Sequence, residues 1–308
     1  MLLADAIDDY LFESRKLSPT TYRWYAQKLR VFQQWCDGTG APDSTDIGQL
    51  TTRDVRRFLD ALAETHNPRR GSTLTPQTQH GYTQVIKQFL RWCGREGYCN
   101  PNLYDRIKLP KVEQPVFQTL TKEHITALFD ACQHEVHPTL VARDRALLAT
   151  LLSTGIRAAE ACSLTLESLR LENPDDPHLV VRGKGKKWRE VGLAYTAVRF
   201  LRRYLRVRTA HATVTALFTN QKGNALTPSG VNQLLYRLRD WAGIEDVPVS
   251  ARQTRRAFAV HFMRQGGADV FRLKELMGHS DIQTTMIYLR DFQQKDARRG
   301  VNPLDTML

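Results

Sequence analysis

The chain has 308 residues, 42% of them hydrophobic, which is enough for two domains with buried cores. Lys and Arg outnumber Asp and Glu by 44 to 32, a net charge of +12 with a pI near 9.6, and the excess is spread over both halves, the footprint of a polyanion binder with nucleic acid the leading partner. There is no apolar run of the roughly 18 residues a membrane span needs, and the N-terminal stretch MLLADAIDDYLFE carries acids where a secretory signal carries bases, which argues against membrane insertion and export.

The five cysteines, Cys36, Cys93, Cys99, Cys132 and Cys162, are odd in number and never spaced C-x-x-C, so neither a disulfide framework nor a zinc ribbon is indicated. A reducing cytoplasm fits them. His124, Cys132, His134 and His137 lie close together, but His134-x-x-His137 is a thin metal signal, and they read as solvated helix-end groups rather than a metal site.

In chain order, the first third reads as about four helices. Leu3–Phe12 is the first. Ser18-Pro19 opens the second, whose apolar residues Tyr22, Tyr25, Leu29, Phe32 and Trp35 recur every three or four positions until Gly38. Thr52 precedes Val55, Phe58, Leu59 and Leu62, and Thr75-Pro76 precedes Tyr82, Val85, Ile86, Phe89 and Leu90. The stretch LPKVEQPVFQTL over 109–120 has two prolines and no helical period, so it reads as an extended linker between a helical domain, 1–108, and a second domain, 121–308.

The second domain starts at a helix cap, Thr121-Lys122-Glu123. An apolar helix around Leu147, Leu148, Leu151 and Leu152 stops at Gly155. His178–Arg182 alternates apolar and polar residues, Gly183-Lys184-Gly185-Lys186-Lys187 forms a basic tip, and Trp188–Leu193 completes a predicted β-hairpin. Helical patterns then return over 197–208, 229–241, 254–264 and 270–277. The expected fold is mainly α with a small β-hairpin sheet.

Several groups in this domain suit phosphate chemistry. Thr154-Gly155-Ile156-Arg157 sets an arginine after a helix-ending glycine, and a guanidinium can give a phosphate two parallel hydrogen bonds without losing its charge. Lys184, at a tight hairpin tip between two glycines, could protonate a leaving oxygen. Arg252 and Arg255 are three residues apart on one helix, an arrangement that calls for an anion, whereas His261 deeper in the same register reads as a packed histidine. Finally Gly278-His279 is followed at short range by Tyr288, the best candidate nucleophile; a phenol attacks poorly at neutral pH unless cations and donors stabilise the moving charge.

The ordered set T-G-x-R, a hairpin G-K-G, R-x-x-R-R-x-F-A and G-H followed by T-x-I-Y resembles the tyrosine recombinase (phage-type integrase) family over the whole second domain. The helical first domain and linker resemble that family's SAM-like core-binding domain. The resemblance implies that Arg157 and Arg255 clamp the scissile phosphate, that Lys184 is the general acid toward the 5′-hydroxyl, that His279 donates a hydrogen bond to the phosphate, and that Tyr288 forms a 3′-phosphotyrosine. It implies no metal or nucleotide cofactor, a double-stranded DNA recombination site as partner, a homo-tetramer on two duplexes, and a cytoplasmic, nucleoid-associated location. Because the helical domain begins almost at once, a short Xer-like or Cre-like recombinase is expected.

One position departs from the family pattern: Arg252 stands where the family most often has His. Arginine can supply charge to the transition state but cannot accept a proton near neutral pH. Two alternatives to a recombinase follow, a type IB topoisomerase-like nicking-closing enzyme and a DNA-binding protein of the same fold with impaired catalysis. Further DNA contacts are expected among Arg69, Arg70, Lys87, Arg91, Lys186, Lys187, Arg202, Arg203, Arg206 and Arg208. The tail from Asp291 to Leu308, apolar after a charged stretch, is expected either to dock on a neighbouring protomer, as the resemblance implies, or to stay with its own chain, packed or disordered.

Overall fold

The computed structural model describes residues 1–38, 46–64, 66–67, 72–110, 112, 118–183, 187–211, 213–265 and 269–289. The chain divides into two compact units, Met1–Pro115 and Val116–Leu308.

The first unit is built on α1 (Leu3–Ser14), α2 (Pro19–Gly38), α3 (Thr52–Glu64) and α4 (Pro76–Arg95), with a minimal antiparallel ribbon, β1 (His66–Asn67) and β2 (Ser72–Thr73), between the last two helices. Each helix buries one stripe. Leu3 and Ile7, Leu29 and Phe32, Val55 and Phe58, and Val85, Ile86 and Phe89 form a single core. Thr75 caps α4 by accepting from Thr78 N, and Pro76 occupies the first helical position, where its missing N–H costs nothing.

The second unit contains α5 (Lys122–Ala131), α6 (Pro138–Thr154), α7 (Ala158–Ser163), α8 (Tyr195–Val207), α9 (Pro228–Trp241), α10 (Ala251–Met263), α11 (Val270–Met277) and α12 (Ile282–Tyr288). Its antiparallel sheet has the order β3 (Leu169–Arg170), β4 (His178–Arg182), β5 (Trp188–Gly192). The mainly α expectation holds. The short elements β3, α7 and α12 are too brief to show a period in the sequence.

Helix α6 is apolar on nearly every side and accordingly lies in the middle of the unit, packed against α8 and α10. It ends at Gly155 in the left-handed conformation, φ 61°. A Cβ there would overlap the ring of Phe258 on α10, so glycine is what permits the two helices to approach. In the sheet, strand alternation buries Leu179 and Val181 of β4 and Val191 of β5. The same alternation puts Arg189, two residues before Val191 and paired with Val181, on the core face.

Candidate active site

At the start of α7, Glu160 sits at the third helical position and reaches back to the residue that opens the helix. Its Oε2 accepts from Arg157 N at 2.8 Å and its Oε1 from Arg157 Nη1 at 3.0 Å. Arg189 of β5 adds two further bonds, Nη1 to Oε1 at 3.1 Å and Nη2 to Oε2 at 3.0 Å. Burial alone would raise the Glu160 carboxyl, but the hydrogen bonds from Arg189 and from Arg157 N hold it below the usual carboxylate range. The carboxylate therefore stays charged and fixes two arginines at once.

Arg189 also donates through Nε to Leu276 O at 2.9 Å, tying the hairpin strand to the end of α11. There the chain turns at Gly278, φ 63°, and a Cβ at that position would lie 2.9 Å from Arg189 Nη1. His279 N bonds back to Lys274 O at 3.1 Å, so this turn aims the histidine ring inward.

Arg255 is 2% exposed, on the buried face of α10. It donates from Nη1 to Gly155 O at 2.6 Å and from Nη2 to Met277 O at 2.7 Å, and Nη2 also meets His279 Nε2 at 2.7 Å. Its Nε has no partner among the described residues. Burial, and then the charge of Arg157, pull its pKa down to about 10, which leaves it cationic at neutral pH.

His279 meets Thr285 Oγ1 through Nδ1 at 2.8 Å. Burial, followed by the charges of Arg255, Arg157 and Arg189, pushes its pKa down to about 4, so the ring is neutral at pH 7. An arginine nitrogen can only donate, hence His279 Nε2 is the acceptor and the single ring proton lies on Nδ1. The ring stacks on Tyr288, centroids 5.6 Å apart at 17°, and the Arg255 guanidinium carbon lies 5.7 Å from the Tyr288 centroid. Tyr288 itself is half-buried at the end of α12.

Above these groups opens a cleft of about 690 Å³ lined by Arg157, Lys187, Arg189, Lys274 and His279, among others. Four of the six sequence candidates, Arg157, Arg255, His279 and Tyr288, are thus brought together. Lys184 lies outside the described residues, although its neighbours Gly183 and Lys187 line the cleft. Arg252 is exposed on the first turn of α10. A spacing of three residues leaves two side chains about 60° apart around a helix, and here that separates a surface arginine from a buried one.

Several of the expected DNA contacts also bond within the fold. Lys87 donates to Ile107 O at 2.6 Å, Arg202 to Leu171 O at 3.1 Å, and Arg208 to the carbonyls of Val214, Ala216 and Leu217. Charge alone could not separate them from free surface cations. Arg69, Arg70, Lys186 and residues 291–308 lie outside the described residues. His261 packs as expected, with Nε2 2.9 Å from Leu120 O.

Glu160, Arg189 and Thr285 belong to this site although none of them stands out in the sequence as a site residue. The R-x-x-E spacing of a helix N-terminus could have signalled Glu160, and an arginine in register with the buried face of a strand could have signalled Arg189. Thr285 is the threonine of the T-x-I-Y segment, but nothing in that segment says that its side chain meets the histidine six residues earlier.

Comparison with known proteins supplies the family. The model described as "Phage integrase family" matches residues 118–295, and the one described as "Phage integrase, N-terminal SAM-like domain" matches residues 5–97. The tyrosine recombinase XerC of Oceanobacillus iheyensis is 31% identical over 295 residues, covering 93% of this chain and 90% of that protein. The tyrosine recombinase XerD of Listeria monocytogenes is 28% identical over 309 residues, covering 97% and 99%. Among solved structures, the XerH site-specific recombinase bound to a palindromic difH substrate, a post-cleavage complex, has a TM-score of 0.73 at 21% identity, covering 94% of this chain and 81% of that one. The Tn1549 transposon integrase in complex with circular intermediate DNA has a TM-score of 0.74 at 19% identity, covering 97% and 98%. This chain is a tyrosine recombinase and belongs to the phage integrase family.

Proposed function

We propose that this recombinase acts at a specific double-stranded DNA site, with Tyr288 as the nucleophile. The observation that carries the reading is the stack of Tyr288 on His279, with the buried Arg255 against both and Arg157 in the cleft beside them. Tyr288 Oη attacks the scissile phosphorus, its proton passes to water, and the bond to the 5′-oxygen breaks. The products are a 3′-phosphotyrosine and a 5′-hydroxyl, with Lys184 protonating the leaving oxygen. A 5′-hydroxyl from the other duplex reverses the same step and regenerates the tyrosine. The number of phosphodiester bonds is conserved, so the reaction runs without an external energy source.

A pentacoordinate phosphorus carries its negative charge on equatorial oxygens, and fixed cations stabilise that charge without reorganising. Arg157 and Arg255 fit this role because Glu160 and three backbone or ring acceptors hold them before DNA arrives. Arg252 adds charge from the surface but no base. The first unit serves as the core-binding half of a clamp, and the basic groups of both units supply salt-dependent affinity for the DNA backbone.

Exchange between two duplexes needs four strands cut, hence a homo-tetramer. A groove of about 600 Å³, in which Ile125, Leu152, Phe258 and Phe262 lie beside Asp176 and Arg272, offers room for a contact with a neighbouring protomer. Among the described residues no helix is long and apolar enough to cross a membrane; the site of action proposed is cytoplasmic DNA. A nicked substrate that loses its 5′ fragment on cleavage tests the chemistry: a covalent protein–DNA adduct is expected, and exchange between two labelled duplexes separates recombination from simple nicking and closing.

A further inference from the structure

Thr285 is 0% exposed and lies one helical turn before Tyr288, on the same seven-residue helix. Its Oγ1 is 2.8 Å from His279 Nδ1, while the other ring nitrogen, Nε2, is 2.7 Å from Arg255 Nη2. All five N–H groups of a guanidinium are donors, so Nε2 must present a lone pair to Arg255. A neutral imidazole has one N–H, which is then on Nδ1 and is accepted by Thr285. The charged groups around the ring are Arg255 from α10, Arg157 and Glu160 from α7, and Arg189 from β5, with Tyr288 stacked from α12.

We propose that Thr285 is a positioning residue that fixes His279 as the Nδ1–H tautomer and, through the lone pair this leaves on Nε2, holds Arg255 in place beneath the scissile phosphate. This rests on the reading of Tyr288, His279 and Arg255 as the reacting site. Without an acceptor at residue 285 the buried Nδ1–H has nowhere to donate, and the alternative Nε2–H tautomer points a proton at an Arg255 N–H. The first state leaves a buried donor unpaired, and the second, which relieves it, breaks the Arg255–His279 bond. Because Thr285 and Tyr288 share α12, seating the nucleophile's helix and selecting the histidine tautomer are one event. A second consequence concerns the phosphate itself: His279 can donate to it from Nε2 only after the proton moves there or a second one is taken up.

The test uses the full chain labelled with ¹⁵N-histidine, with the His279 signals assigned by their loss in His279→Gln. In the wild type at pH 7.5 without DNA, Nδ1 carries the proton and Nε2 is unprotonated. Thr285→Ser keeps that pattern and cleaves within about twofold of wild type. Thr285→Val, equal in size but without an acceptor, loses the pattern and slows single-turnover cleavage roughly ten- to hundredfold, the size seen when a group that orients a histidine is removed, with DNA affinity unchanged. The other histidine signals, unmoved, report that the Val variant is folded. An Nε2–H tautomer in the wild type, an unchanged tautomer or cleavage rate in Thr285→Val, or a Ser variant as slow as Val overturns the proposal. Because the tautomer is read without DNA, its failure is distinct from a failure of Tyr288 as nucleophile, which adduct formation by Tyr288→Phe would reveal.

Discussion

Arg189 and Glu160 form a two-bond ion pair, Nη1–Oε1 at 3.1 Å and Nη2–Oε2 at 3.0 Å, that joins the hairpin strand to the helix opened by Arg157. The same carboxylate holds Arg157, and the same guanidinium holds Leu276 O just before Gly278-His279. Three separate parts of the chain are thereby fixed at one point.

Replacing Arg189 by Met should therefore act on both stability and rate. It leaves a carboxylate that is 6% exposed with one arginine in place of two, and removing one partner of a buried pair costs about 3–5 kcal/mol. Denaturant unfolding of Arg189→Met, Glu160→Gln and the double variant checks this: the double variant should be more stable than the sum of the single losses predicts. Additive losses would mean that the pair is not coupled.

Gly155→Ala should be costly because two penalties coincide. A left-handed conformation costs a non-glycine residue about 1–2 kcal/mol, and the added Cβ collides with Phe258, an overpacking term of roughly 1–3 kcal/mol. Gly243, φ 64° with nothing within 4 Å of its Cβ position, is the control for the first term alone. Unfolding should show Gly155→Ala losing about 2–5 kcal/mol and Gly243→Ala about 1–2 kcal/mol. Cleavage should fall only in the former, because Gly155 O anchors Arg255.

Much of this architecture was legible in the sequence. The stripes of α2 and α4 and the Pro-started helices fixed most boundaries because one buried face per helix leaves a visible period. Gly155 and Gly278 marked real chain reversals. What could not be read is where two segments meet: Arg189 and Glu160 are 29 residues apart, and Thr285 differs from Thr284 only in which side of α12 it faces. Likewise, Arg252 and Arg255 look equivalent as a spaced pair, and only the packing of α10 against α6 sends one inward. The charge pattern did not show that Lys87, Arg202 and Arg208 also bond carbonyls within the fold.

His279 predicts an acid-sensitive stability. Its folded pKa of about 4 is below the ordinary value of 6.5, so between those values the unfolded chain binds more protons and stability falls as pH is lowered. The contribution is fully present above pH 6.5 and is lost progressively toward pH 4, to a total on the order of 3 kcal/mol. Asp144, buried and raised to about 7, acts in the opposite direction over an overlapping range. The measurement is therefore a difference. Unfolding free energies of wild type and His279→Gln at pH 7.5 and 5 should show the wild type losing roughly 2 kcal/mol more on acidification, and equal losses would place the histidine outside the buried cationic cluster.

The proposed reaction joins Tyr288, stacked on His279 beside Arg255, covalently to DNA. The direct measurement is adduct formation on a nicked substrate carrying a specific site selected by the full-length protein. Wild type should accumulate a denaturant-resistant protein–DNA band with a free 5′-hydroxyl, and a peptide containing Tyr288 should carry the 3′-phosphate. Tyr288→Phe should bind the same DNA with unchanged affinity and form no adduct. An adduct that persists in Tyr288→Phe, or a phosphate mapped to another residue, would contradict the account.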